Sequence, residues 1–182
     1  MSFPMPKTGL WLNRAKVAIV ASLFLAVLGG CGYHIKGKGL RAPADVHTVA
    51  VAVFENRTSE SGIETIFTND LSYEFNRSKI LQVVDISMAD AVLSGSIASM
   101  AIETISHSSK YASEERRVTI TLNLALKRSD GKVLWSDKSL SGREVFKVSS
   151  DKPVIEENRR AAIEAISKRL AEKIHNRILC AF

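Results

Sequence analysis

The chain has 182 residues, 46% of them apolar and 24% charged, a globular balance that excludes a disordered or low-complexity protein. Its formal net charge of +6 overstates its basicity, because Lys7, Arg14 and Lys16 lie in an N-terminal targeting segment. No dense Lys/Arg run supports a nucleic-acid partner, and two cysteines exclude a disulfide framework.

That targeting segment holds no acidic residue in its first thirty positions. Val17 to Leu28 is apolar except for Ser22, and this run is shorter than the roughly 20 residues a membrane-spanning helix needs. A basic start, a short apolar run and small residues at its end predict a signal peptide over residues 1–30. The stretch Leu28-Gly29-Gly30-Cys31 resembles a bacterial lipobox. The resemblance implies cleavage after Gly30, a diacylglycerol on the Cys31 sulfur and acylation of the new amino terminus. An ordinary signal peptide with a cysteine nearby by chance is the competing reading. Two or three acyl chains make a stable anchor, whereas one gives marginal membrane residence. Gly32, rather than an aspartate, follows the cysteine, which resembles an outer-membrane address.

Residues 31–47 carry three glycines and Pro43 without periodicity, and read as a tether. Residues 48–182 read as one α+β domain. Thr48 to Phe54 is a nearly continuous apolar, β-branched strand, ended by the turn formers of residues 55–62. Ile63, Ile66, Phe67, Leu71 and Phe75 fall on one stripe of a helix reaching about Asn76. Leu81 to Val84 is a short strand, parallel to the first if the two share a sheet. An extended segment follows from Ala91, with alternation that slips near Met100 and predicts a bulge at Ser99–Met100. Ser106 to Glu115 reads as a hairpin tip.

From Val118 the alternation is strict, with Val118, Ile120, Leu122, Leu124 and Leu126 on one face. Thr119, Thr121, Asn123, Ala125 and Lys127 share the other. A turn at Ser129-Asp130-Gly131-Lys132 leads to a return strand from Val133 towards Val148. A last helix, capped by Ser150 or Asp151, carries the stripe Ile163, Ile166, Leu170, Ile174 and Ile178. The predicted order is β-α-β-β-β-β-α. It describes a two-layer sandwich with two helices on one face of a mostly antiparallel sheet of four or five strands.

Motifs for metal, nucleotide or acyl chemistry are missing from the sequence, so no cofactor or metal is implied and a non-enzymatic binding or scaffolding role is expected. His34, His47, His107 and His175 read as separate surface histidines, Cys180 as a free, partly packed thiol, and Asp85 and Asp90 as strand-end solvation. Two features exceed what a bland domain needs. The first is the polar sheet face of Thr119, Thr121, Asn123 and Lys127, which fits either water or a polar partner surface. The second is basic: Lys110, Arg116 and Arg117 near one hairpin tip, with Lys127, Arg128 and Lys132 at the opposite end. A solvated loop and an anion site both fit it.

The start Cys31-Gly32-Tyr33-His34, the strand end Phe54-Glu55-Asn56-Arg57-Thr58, the run Ala89 to Ile97 and the turn Asp130 to Trp135 together resemble the lipopolysaccharide-assembly lipoprotein family, LptE. The resemblance covers nearly all of the mature chain. It implies an outer-membrane lipoprotein that plugs an LptD-type β-barrel and helps to insert lipopolysaccharide, its domain lying in the barrel lumen or on the periplasmic side. It further implies basic loop residues that touch lipopolysaccharide, placed by rough position at Lys110 and Lys152, with Arg116 and Arg117 as neighbours. Parts of the chain are also similar to curli-pore and penicillin-binding-protein-activator lipoproteins, which would make it a secretion component or an activator.

Overall fold

A computed structural model describes residues 45–106 and 114–181 of the chain. The signal segment, Cys31, most of the tether and Lys110 lie outside the described residues. The elements are β1 (Thr48–Val51), β2 (Glu55–Asn56), α1 (Ile63–Ser78), β3 (Gln82–Val83), a 3-10 turn (Ile86–Met88), β4 (Ala91–Ser106), β5 (Glu115–Arg128), β6 (Val133–Lys147) and α2 (Lys152–Cys180). The strands form one mixed sheet in the order β3-β1-β4-β5-β6, with β2 beside β4. Pairing is parallel among β1, β2, β3 and β4, and antiparallel along the long β4-β5-β6 meander. The α+β class and the two-helix layer agree with the sequence reading.

The strand count is six rather than four or five, and the first strand is the reason. The predicted strand 48–54 breaks after Val51. Phe54 leaves the ladder so that its ring can lie over Gly95, where a Cβ would sit 1.9 Å from Phe54 Cε1. The chain then rejoins the sheet for two residues as β2, pairing Glu55 with Ser96. The bulge is also shifted, since register slips at Ala98, between Ile97 and Ser99.

The core lies between the sheet and the helices. Phe67, Leu71 and Phe75 of α1 and Ile166, Leu170 and Ile174 of α2 meet Leu93, Ile97, Ile120, Leu122 and Leu126 of the sheet. The helices run parallel. Near their starts Arg159 bridges Glu60 and Glu156, and near their ends the Phe75 and His175 rings meet edge-on at 5.2 Å. His175 is buried here rather than on the surface, because the α2 stripe widens to take in Ala171, His175 and Leu179. Cys180, one turn further on, is exposed rather than partly packed.

The domain starts before β1, because Val46 is fully buried. Asp90 fixes this entry. Its carboxylate accepts the N–H groups of His47 and Thr48 at 2.9 and 2.8 Å, and its own N–H donates to the Thr48 hydroxyl at 2.9 Å. Asp90 is therefore a structural clamp and not merely strand-end solvation. These hydrogen bonds favour the charged form and hold the Asp90 carboxyl below its usual pKa.

Candidate partner-binding face

With both helices on one side, the opposite side of the β4-β5-β6 meander is bare among the described residues. Its composition follows from strand alternation. On β5 it carries Arg117, Thr119, Thr121, Asn123, Ala125 and Lys127. Antiparallel pairing sets Glu103, Ala101, Ser99, Ser96, Ser94 and Val92 of β4 beside them in that order. On the other flank, β6 places Val145, Arg143 and Ser141 beside Arg117, Thr119 and Thr121. The centre of the face is thus mostly Ser, Thr, Asn and Ala, with the exposed Arg143 beside Thr119 and the other charges towards its ends.

Few of these polar groups are consumed within the fold. Ser94 Oγ donates to the Ala125 carbonyl at 3.3 Å. Asn123 Oδ1 accepts the Ser139 N–H at 3.0 Å, at a point where β6 slips register and Ser139 takes φ 64°. Asn123 therefore also pins the kink in β6. The hydroxyls of Thr119 and Thr121 make no hydrogen bond within the described residues, which leaves them available to water or to a partner.

The four predicted face residues Thr119, Thr121, Asn123 and Lys127 do lie on one surface. Alternation on β5 alone located them. Ser96, Ser99 and Ser141 belong to the same surface, and the sequence reading missed their part in it. The two register slips flanking these residues break the period-two signal that would have revealed them.

The predicted basic residues do not converge. Arg116 points to the helix side, opposite Phe146, and pairs with Glu114 at 2.9 Å. Arg117 points to the bare face, between Glu103 and Val145. Lys152 is the exposed first residue of α2. At the other end of the domain Arg128 is held by Asp45 at 3.4 Å. Consecutive strand residues face opposite sides, so Arg116 and Arg117 cannot serve one anion. Among the described residues no three metal-ligating side chains lie together, and no helix is long and apolar enough to cross a membrane.

The sequence of residues 46–178 matches the family model described as LptE, lipopolysaccharide-assembly. The chain belongs to the LptE family. It is thus an envelope-associated lipoprotein of lipopolysaccharide assembly, allied to the lipopolysaccharide transport machinery. No curated protein matches it by sequence. Its fold is similar to an uncharacterized lipoprotein B from Nitrosomonas europaea (TM-score 0.55, 12% identity, covering 82% of this chain and 91% of that one). It is also similar to a putative lipoprotein from Caulobacter crescentus (0.54, 11%, 72% and 88%) and a minor lipoprotein from Acinetobacter baumannii (0.52, 9%, 76% and 94%). At these identities the likeness shows the fold alone.

Proposed function

We propose that this LptE-family protein is an outer-membrane lipoprotein, acylated at Cys31, that plugs an LptD-type β-barrel and assists insertion of lipopolysaccharide into the outer leaflet. The reading is non-enzymatic: the protein supplies a surface rather than a reaction. One observation carries it, the bare polar face centred on Thr119, Thr121 and Ser99. The lumen of a large outer-membrane barrel is polar, so a plug has to present hydrogen-bonding groups rather than apolar side chains. Short side chains on a twisted sheet can approach a curved wall closely, and hydroxyls can donate or accept as the wall requires.

The test is affinity purification of the lipidated chain from membranes, with the captured proteins identified by mass spectrometry. The wild-type chain is expected to bring down a large outer-membrane barrel. The double variant Thr119→Arg, Thr121→Arg places two long cations in the centre of the face and should lower barrel recovery at least about tenfold. Both positions are half-buried and Thr119 lies opposite Arg143, so some loss of stability is expected, and the variant's circular dichroism spectrum must match wild type at the temperature of capture for the comparison to count. Capture of a peptidoglycan synthase without a barrel would overturn the proposal. Undiminished barrel recovery by the double variant would remove this face from it.

A further inference from the structure

The chain enters the domain at one end of the sheet, and several elements meet there. Gln82 of β3 pairs with Thr48, so the end of α1 and the start of β3 lie at this end. The Ser129 N–H donates to the Asp90 carbonyl at 2.9 Å, which brings the β5-β6 turn to the same place. Between β3 and β4 stands the 3-10 turn Ile86–Met88. It is held firmly. The Met88 N–H donates to the Asp85 carbonyl at 2.9 Å, the Thr48 hydroxyl donates to the Met88 carbonyl at 3.4 Å, and the Asp90 clamp follows two residues later.

This fixed turn presents apolar side chains to the outside. No residue of it is buried, and Ile86 and Met88 are 59% and 65% exposed. Val133, just after the β5-β6 turn, is 53% exposed at the same end. A connection that only joined two strands would need no isoleucine or methionine at its tip, and exposed apolar groups gathered at one place mark contact surfaces. The charges beside the turn largely cancel. Arg128 is held by Asp45 at 3.4 Å, and the exposed Lys79 and Lys132 are offset by the exposed Asp85 and Asp130. No strong field therefore directs an ionic partner to this end.

We infer that Ile86 and Met88 enter the lipid surface to which the chain is anchored, so that the domain rests on the membrane by its entry end. The occupant follows from where residues 32–44 end. They separate Cys31 from Asp45, and thirteen residues span at most roughly 45 Å in any conformation. Acyl groups on Cys31 therefore keep the entry end within constant reach of lipid, whereas the far end of the meander lies a 14-residue strand further off. The local concentration set by so short a connection converts weak partitioning of two side chains into a lasting contact. Without the connection the same pair binds vesicles only marginally. The inference rests on acylation of Cys31 as proposed above. It goes beyond the plug reading, since it describes the lipoprotein at the membrane surface before a barrel takes it up.

Fluorescence quenching of the acylated chain on phosphatidylcholine vesicles tests the inference, after the mass of the intact chain has confirmed its acyl groups. In a Cys180→Ser background, Met88→Cys at the turn and Val154→Cys at the far end each carry an environment-sensitive fluorophore, and nitroxide-bearing lipids act as quenchers. The label at position 88 should be quenched at least about twofold more than the label at 154, at low and high salt alike, because the contact is apolar. A label at Val133→Cys should be quenched beside the native turn and should lose that quenching in the double variant Ile86→Asp, Met88→Asp. If that variant fails to fold, the labels at 88 and 154 still decide. Equal quenching at 88 and 154, quenching at 88 that vanishes at high salt, or a label at 133 that stays quenched in the double variant would each overturn the inference. A chain whose mass lacks the acyl groups overturns the anchor instead. The contact is then read with the same labels on a chain held to nickel-chelating lipid by a hexahistidine in place of Cys31, and the same outcomes apply.

Discussion

His175 shows how one residue can tie packing to pH. Its ring lies edge-on against Phe75, its Nδ1 is 3.4 Å from Asn176 Oδ1, and its buried Nε2 has no partner within the described residues. Desolvation by burial is the largest influence and lowers its pKa from 6.5, although Asn176 and Glu74 pull the other way. The sign of the consequence is fixed by linkage. Below about pH 6.5 the unfolded chain takes up a proton that the folded ring resists, so stability falls as the pH drops from there towards the folded pKa. The loss can reach at most about 1.4 kcal/mol per pH unit from this one group. Urea denaturation at pH 7.5 and pH 5.5 should show a lower midpoint at the acid value. His175→Gln should shrink that difference, and an equal difference in the variant would assign the effect to other groups. The sequence offered no sign of this burial, because a histidine four residues after Ala171 looks like surface until a second helix is known to lie alongside.

At the scale of elements, legibility tracked the regularity of each segment. β5 kept strict alternation over its length, so its buried leucines and its polar face could be read directly. Both helices were visible from their apolar stripes, because a 3.6-residue period survives small errors in the boundaries. β2 was not visible, since two residues rejoining a sheet leave no periodic trace. Nor was the close approach of α2 to β6, which depends on what faces Gly142. A Cβ at Gly142 would lie 2.8 Å from Ile166 Cγ2 and 3.1 Å from Leu170 Cγ and Cδ1, so hydrogen is the side chain this seat accepts without movement. Gly142→Ala must push the helix outward or force Ile166 and Leu170 from their rotamers, an overpacking cost of about 1–3 kcal/mol. The expected outcome is a lower urea midpoint with an unchanged circular dichroism spectrum. A midpoint equal to wild type would mean that the helix shifts without cost.

For the whole molecule, the question is how an anchor and a folded domain combine. Val46 is buried, Asp90 clamps the two residues after it, and Arg128 holds Asp45, so the chain enters the domain at a fixed point. Between that point and Cys31 lie Gly32, Gly37, Gly39 and Pro43, a composition that favours no packed structure of its own. On the proposed reading the thirteen residues 32–44 are a tether, and that length of chain spans up to roughly 45 Å when extended, enough to let an anchored domain leave the membrane surface and enter a lumen. On the proposed reading, Cys31 alone determines whether the domain is delivered to the outer membrane, while the domain's stability is independent of it. Cys31→Ser should therefore abolish acylation and cleavage, as read by the mass of the intact chain, and remove the protein from outer-membrane fractions. The barrel should then be recovered poorly even though Thr119, Thr121 and Asn123 are untouched. A Cys31→Ser chain that is processed and reaches the outer membrane like wild type would refute the anchor. Loss of the anchor with barrel capture intact would show instead that the polar face is sufficient for docking and that the lipid only raises the local concentration of the domain.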